Sequence, residues 1–121
     1  MPDPRPPLVV CLGSVVMDHT FGVDEVVQPP SKNRARTYTL GAGGLAANAS
    51  VAVSRLGGRC VFWGRVGDDL NGAPLLDALS SQGVDTSTCR RAPGGRTPVS
   101  AVLVDPQGER STFSYRGEGL G

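Results

Sequence analysis

The 121-residue sequence is short of histidine and cysteine and carries no excess of charge of either sign. It has one histidine, His19, which makes Cys–His and Ser–His–Asp catalytic sites poor candidates. Its three cysteines, Cys11, Cys60 and Cys89, are odd in number and widely spaced, a pattern of neither a disulfide framework nor a zinc site. Cys11 and Cys60 lie in apolar runs, where cysteine packs as a small hydrophobe, and a reducing cytoplasm is the expected location. Twelve basic against eleven acidic side chains give a net charge of +1, with no footprint for nucleic acid or a membrane surface. No apolar run approaches the roughly 20 residues that span a bilayer, and no leader pattern precedes the first apolar run. A phosphate loop ending in Gly-Lys-Ser/Thr is also missing.

Glycine and proline are abundant, at 17 and 10 residues, so the chain is rich in turns, yet 39% apolar residues suffice for one core. Met1 to Pro7 holds four prolines and reads as a disordered lead-in (residues 1–7) before a single domain over residues 8–121. Leu8 to Leu12 is a continuous apolar run of the kind buried on both faces of a sheet. Apolar residues continue through Val15, Val16 and Met17 to Asp18. From Phe21 to Leu40 the character changes: Pro29-Pro30, the basic residues Lys32, Arg34 and Arg36, and the β-prone Thr37-Tyr38-Thr39 predict a loop and a short peripheral strand.

Gly41 to Gly44 is expected to open a helix over about 45–56, with Leu45, Ala49, Ala52, Val53 and Leu56 as its apolar stripe and Gly57-Gly58 as its stop. A buried strand follows at Cys60 to Gly64. A second helix is expected over 72–82, capped by Asn71, with Leu75, Leu76 and Leu79 facing inward. Strand, helix, strand, helix implies an α/β chain with a parallel sheet and right-handed crossovers. Two β-rich runs, Val99 to Asp105 and Glu109 to Tyr115, flank Asp105-Pro106-Gln107-Gly108, which fits a type I turn and predicts a hairpin. Such a sheet is unfinished, because strand edges and helix faces stay uncovered.

Several residues sit where chemistry is expected. Gly41, Gly43 and Ala46 match the dinucleotide fingerprint, with Asp68 22 residues beyond, but the strand before them is short and polar, which argues against it. A glycine-led helix start nonetheless offers unblocked N–H groups to a polar ligand. Asn48 in the first turn adds an amide that both donates and accepts. Asp18 lies beyond the first buried strand, at the end of a sheet where α/β folds place ligands, and suits hydroxyl groups. Asp68-Asp69, ahead of the second helix, is read as favourable charge at a helix N-terminus rather than a metal site.

In order, Gly43-Gly44-Leu45-Ala46-Ala47-Asn48, Arg55-Leu56-Gly57 and Gly64-Arg65-Val66-Gly67-Asp68-Asp69 resemble the N-terminal signature of the PfkB (ribokinase-like) carbohydrate kinases. Gly13 to Asp18 upstream, and Gly83 to Thr86, Thr97-Pro98 and the 105–110 turn downstream, are similar to that family in the same order. The resemblance implies a ribokinase-like fold: a Rossmann-like parallel sheet with flanking helices plus a small β lid (about residues 21–40 and 97–116), here truncated. It implies ATP-dependent phosphorylation of a sugar hydroxyl, with Mg²⁺, on a fructose- or ribose-like substrate. Asp18, Gly43, Gly44 and Asn48 match the substrate-contacting positions, Lys32 is a candidate contact for an anionic group on the substrate, and the lid is a candidate homodimer contact. The family's Gly-Ala-Gly-Asp catalytic signature is absent from the chain, which is therefore expected to be inactive alone. A non-catalytic sugar-binding or dimerising module and a nucleoside kinase of the same family are the alternatives.

Overall fold

The computed structural model describes residues 4–26 and 28–121. Residues 1–3 of the expected lead-in lie outside them; residues 4–7 are exposed, and the Pro6 carbonyl accepts a bond from Arg59 Nε at 2.8 Å. The described residues form eight strands and two helices: β1 (Leu8–Leu12), β2 (Val16–Gly22), β3 (Thr37–Gly43), α1 (Leu45–Arg55), β4 (Arg59–Trp63), β5 (Arg65–Gly67), α2 (Gly72–Ser81), β6 (Arg90–Ala92), β7 (Val99–Val104) and β8 (Arg110–Tyr115).

They form three sheets. β1 and β4 pair in parallel, β5 and β6 pair in parallel, and a four-stranded sheet runs in the order β3-β2-β7-β8. In the last, β2 is antiparallel to β3 and parallel to β7, and β7 and β8 form the expected hairpin. Its turn closes with Gly108 N–H on the Asp105 carbonyl at 3.0 Å, and Gly108 takes φ +84°, the left-handed residue that follows a type I turn in a bulged hairpin. The four-stranded sheet is larger than the lid expected from the sequence: all of Val16–Gly22 belongs to it, and the basic segment is loop over residues 23–26 and 28–36.

Both helices end in Schellman motifs. Gly58 N–H bonds the Val53 carbonyl and Gly57 N–H the Ser54 carbonyl; Val84 and Gly83 do the same with Leu79 and Ser80. Gly57 and Gly83 hold φ +87° and +88°, which favours glycine there. Val15, Met17, Ala47, Phe62, Val66, Leu75, Leu79 and Val84 form the core between the helices and the sheets.

Several expectations are corrected. β1 is not buried on both faces. Cys11 packs on the core, whereas Leu8, Val10 and Leu12 on the opposite face are exposed, because no element covers that side. The inward face of α1 is built from Ala47 and Ser50, with Ala46 and Val51 beside them, while Leu45 and Leu56 are 91% and 88% exposed. Small residues bring this helix close to the sheet, so its large apolar residues fall on the far side. Gly41 to Gly43 end β3 and only Gly44 separates it from α1, while Asp18 lies within a strand of its own, β2. Asn71 makes no side-chain cap; Asp69 Oδ1 accepts from Asn71 and Gly72 N–H instead.

Candidate functional site

Strand register creates the site. Side chains alternate along β2, so Met17 and Asp18 face opposite sides. Met17, with its partners Ala42 and Val99, packs on the core. Asp18 therefore points to the other face, where its row across the sheet is Gly41, Asp18, Ser100 and Ser114. The row beside it is Thr39, Thr20, Val102 and Thr112, so this face is largely hydroxylic.

Asp18 is half-buried, and among the described residues nothing donates a hydrogen bond to its carboxylate. Burial pushes its pKa above the ordinary value, and the adjacent His19 opposes the shift. The His19 ring itself leaves on the opposite face, where it stacks on Tyr38 and shares a 2.8 Å bond with the phenol. An acceptor pair held in a partly desolvated place without internal donors is suited to an incoming hydroxyl.

Glycine is required at both neighbouring positions. A Cβ at Gly43 would run into the Asp18 carboxylate, and one at Gly44 would run into the Ser14 carbonyl. Gly44 also holds φ +101°, the turn that converts β3 directly into α1. No side chain caps α1, so the N–H groups of its first turn remain available at the positive end of the helix dipole. Thus Asp18 and Gly43 are in close approach, with Gly44 next in the chain.

Asn48 and Lys32 are placed differently. Asn48 is exposed in the first turn of α1; its N–H bonds the Gly44 carbonyl at 2.9 Å, and its side chain borders a groove with Ala42 and Leu79. No hydrogen bond joins Asn48 to Asp18 among the described residues. Lys32 is exposed in the loop over residues 28–36 and does not line the cavity beside Ser100. That cavity, of about 340 Å³, is lined by Ser14, Val16, Pro98, Ser100, Ser114, Tyr115 and Arg116. Ser100 and Ser114, whose hydroxyls are 3.2 Å apart, were not singled out by the sequence. Only the pairing register sets them beside Asp18.

The acidic pair Asp68-Asp69 is structural. Asp69 Oδ1 accepts from the Thr97 hydroxyl at 2.6 Å as well as from the start of α2, and Oδ2 accepts Thr97 N–H at 2.8 Å. Thr97 Oγ1 in turn accepts Gly67 N–H at 2.9 Å, and Asp68 Oδ2 accepts Gly94 N–H at 3.0 Å. Burial works to raise the pKa of Asp69, but these four bonds outweigh it and the net shift is downward. The Gly-x-x-Gly-Asp-Asp stretch thereby ties α2 to the segment entering β7 of the four-stranded sheet.

Known proteins share this fold. The chain is 38% identical over 111 residues to the probable fructokinase-7 of Arabidopsis thaliana, covering 90% of this chain and 31% of that protein. The structure of Arabidopsis thaliana ribokinase complexed with ribose and ATP superimposes with a TM-score of 0.77 at 28% identity, over 93% of this chain and 36% of that one. Fructokinase from Xylella fastidiosa with bound ATP gives 0.70 at 32% identity, over 90% and 33%. The chain thus spans about a third of the length of these relatives. The sequence pattern of the pfkB family carbohydrate kinases matches residues 6–120, and the chain belongs to that family.

Proposed function

We propose that this chain supplies the acceptor-sugar half of an ATP-dependent carbohydrate kinase that phosphorylates a hydroxyl of a fructose- or ribose-like sugar in the cytoplasm. The observation that carries the reading is Asp18: a half-buried carboxylate without an internal donor, set against Gly43-Gly44 at the uncapped start of α1. In this reading Asp18 accepts hydrogen bonds from two sugar hydroxyls. Gly43 and Gly44 let the ring approach the backbone, and Asn48 contacts it from the first turn of α1. The fructokinase and ribokinase relatives support a sugar as the acceptor.

ATP and Mg²⁺ belong to the remainder of the fold. Among the described residues there is no group of three His, Cys, Asp or Glu side chains to hold a metal, and the sequence lacks Gly-Ala-Gly-Asp. The 121 residues alone therefore have no kinase activity. The lid sheet also serves as a homodimer contact in this reading, which its exposed Tyr38, Leu40 and Phe113 support. These three lie on the face opposite Asp18, so association leaves the sugar side open.

The test is ADP release with MgATP and a panel of hexoses and pentoses, using the full-length gene product beside the 121-residue chain. Turnover is expected only from the former. Asp18→Asn, by weakening two charge-assisted hydrogen bonds, is expected to lower kcat/KM by about a hundredfold. Turnover by the short chain, or an unchanged kcat/KM in the variant, would overturn the reading.

A further inference from the structure

The face of the four-stranded sheet opposite Asp18 joins the core at Met17 and is open beyond it. Its two open rows across the strands are Leu40–His19–Ala101–Phe113 and Tyr38–Phe21–Leu103–Ser111. Tyr38, Leu40 and Phe113 are exposed. No residue of these rows carries a fixed charge, and one of them can gain a charge between pH 8 and 5. That residue is His19, the single histidine, half-buried on a central strand of the sheet.

The groups around the imidazole are apolar except for one phenol. The Tyr38 ring stacks on it with centroids 6.0 Å apart, and the hydroxyl lies 2.8 Å from Nδ1. Charged groups stand towards the ends of the face. Glu25, in the loop after β2, lines a cavity with Phe21 and Leu103, and Arg36 pairs with Asp24. At the other end Glu118 accepts the Tyr115 hydroxyl, and Arg96 lies over that ring. Asp18, which His19 influences electrostatically, is on the other side of the sheet. No carboxylate is ion-paired with the imidazole among the described residues. A neutral imidazole can accept the phenol proton at Nδ1 and can be covered by apolar groups. An imidazolium has donors only, so the phenol must turn to accept, and covering the charge without a counter-ion is costly.

The occupant that fits this face is a second copy of it. The open rows give a charged partner nothing to pair with, whereas an apolar centre with charge at its ends matches itself. A twofold contact uses the same patch on both copies, so each brings its own His19 to the shared face. Protonation then sets two like charges in an apolar contact.

We propose that protonation of His19 releases this homodimer, which holds while both imidazoles are neutral and comes apart in mild acid. This rests on the reading of the lid sheet as a homodimer contact and adds its regulation.

The test is sedimentation of the full-length gene product over a range of concentrations at pH 7.5 and 5.5. Each dimer must shed two protons, each worth up to about tenfold per pH unit, so the dissociation constant is expected to be about a hundredfold higher at pH 5.5. His19→Gln and His19→Asn stay neutral and are expected to dimerise alike at both pH values, with thermal melts to show that they are folded. Equal constants for the wild type at the two pH values would overturn the gate and leave the contact standing. So would a pH dependence that survives in either folded variant, or folded variants that are monomeric at pH 7.5. Leu40→Lys/Phe113→Lys is expected to be monomeric at pH 7.5. If it dimerises like the wild type, or if the wild type is monomeric at pH 7.5, the contact itself fails and the gate with it.

Discussion

Asp18 is held at a cost to the fold. Burial raises the pKa of its carboxyl, so the ionised form is disfavoured in the folded chain relative to the unfolded state. The contribution of the protonated form is fully present below the unfolded value and is lost as pH rises through the higher folded value. Asp18→Asn is accordingly expected to melt higher than the wild type at neutral pH, with the gap closing at acidic pH, while sugar recognition falls. Thermal melts across that range check it, and a variant less stable at pH 7 would contradict it. Stability and function pull in opposite directions at this residue, as at many binding sites. Gly43 and Gly44 were legible in the sequence because a left-handed turn and a close approach leave only glycine, and Asp18 through its place after the first apolar run and the family resemblance. Ser100 and Ser114 were not, since a serine in a strand carries no signal until pairing decides which way it points.

At the level of elements, Asp69 does what Asn71 was expected to do and more. It caps α2 and fastens it to Thr97, thirty residues beyond Gly67. Asp69→Ala is expected to lose about 2 kcal/mol of stability at pH 7, from a helix cap plus a buried hydroxyl left without its acceptor. Because the pKa of Asp69 is lowered, its contribution is present above the unfolded value near 3.9 and is lost as pH falls through the folded value. Denaturant titrations of wild type and variant should therefore converge in acid; a constant difference down to pH 2 would contradict this role. The boundaries of β1, α2 and the hairpin followed from composition and glycine stops. The stripe of α1 did not. Its apolar residues do repeat at helical spacing, but the core selects alanine and serine for close contact, so the periodicity marks the outward face.

For the whole molecule, the consequence of spanning a third of its relatives' length is exposed apolar surface. Leu8, Val10 and Leu12 on one face of β1, Leu45 at the start of α1 and Leu56 just past its end are exposed. β1 also has β4 on one edge only. The 121-residue chain is expected to self-associate as its concentration rises and to bind an apolar dye. Leu8→Lys/Val10→Lys should reduce both in sedimentation and fluorescence measurements, and no change in either would show that β1 is not the adhesive face. The unfinished sheet was readable from the order of elements; the size of the lid was not, because β2 carries apolar and polar residues that serve two faces at once. β2 also joins the candidate site to the core. Met17 packs among the core residues while its neighbour Asp18 opens on the other face of the same strand. A change in the packing beneath Met17 would therefore be felt one residue away as a displaced carboxylate, so the strand is foundation and fingertip at once.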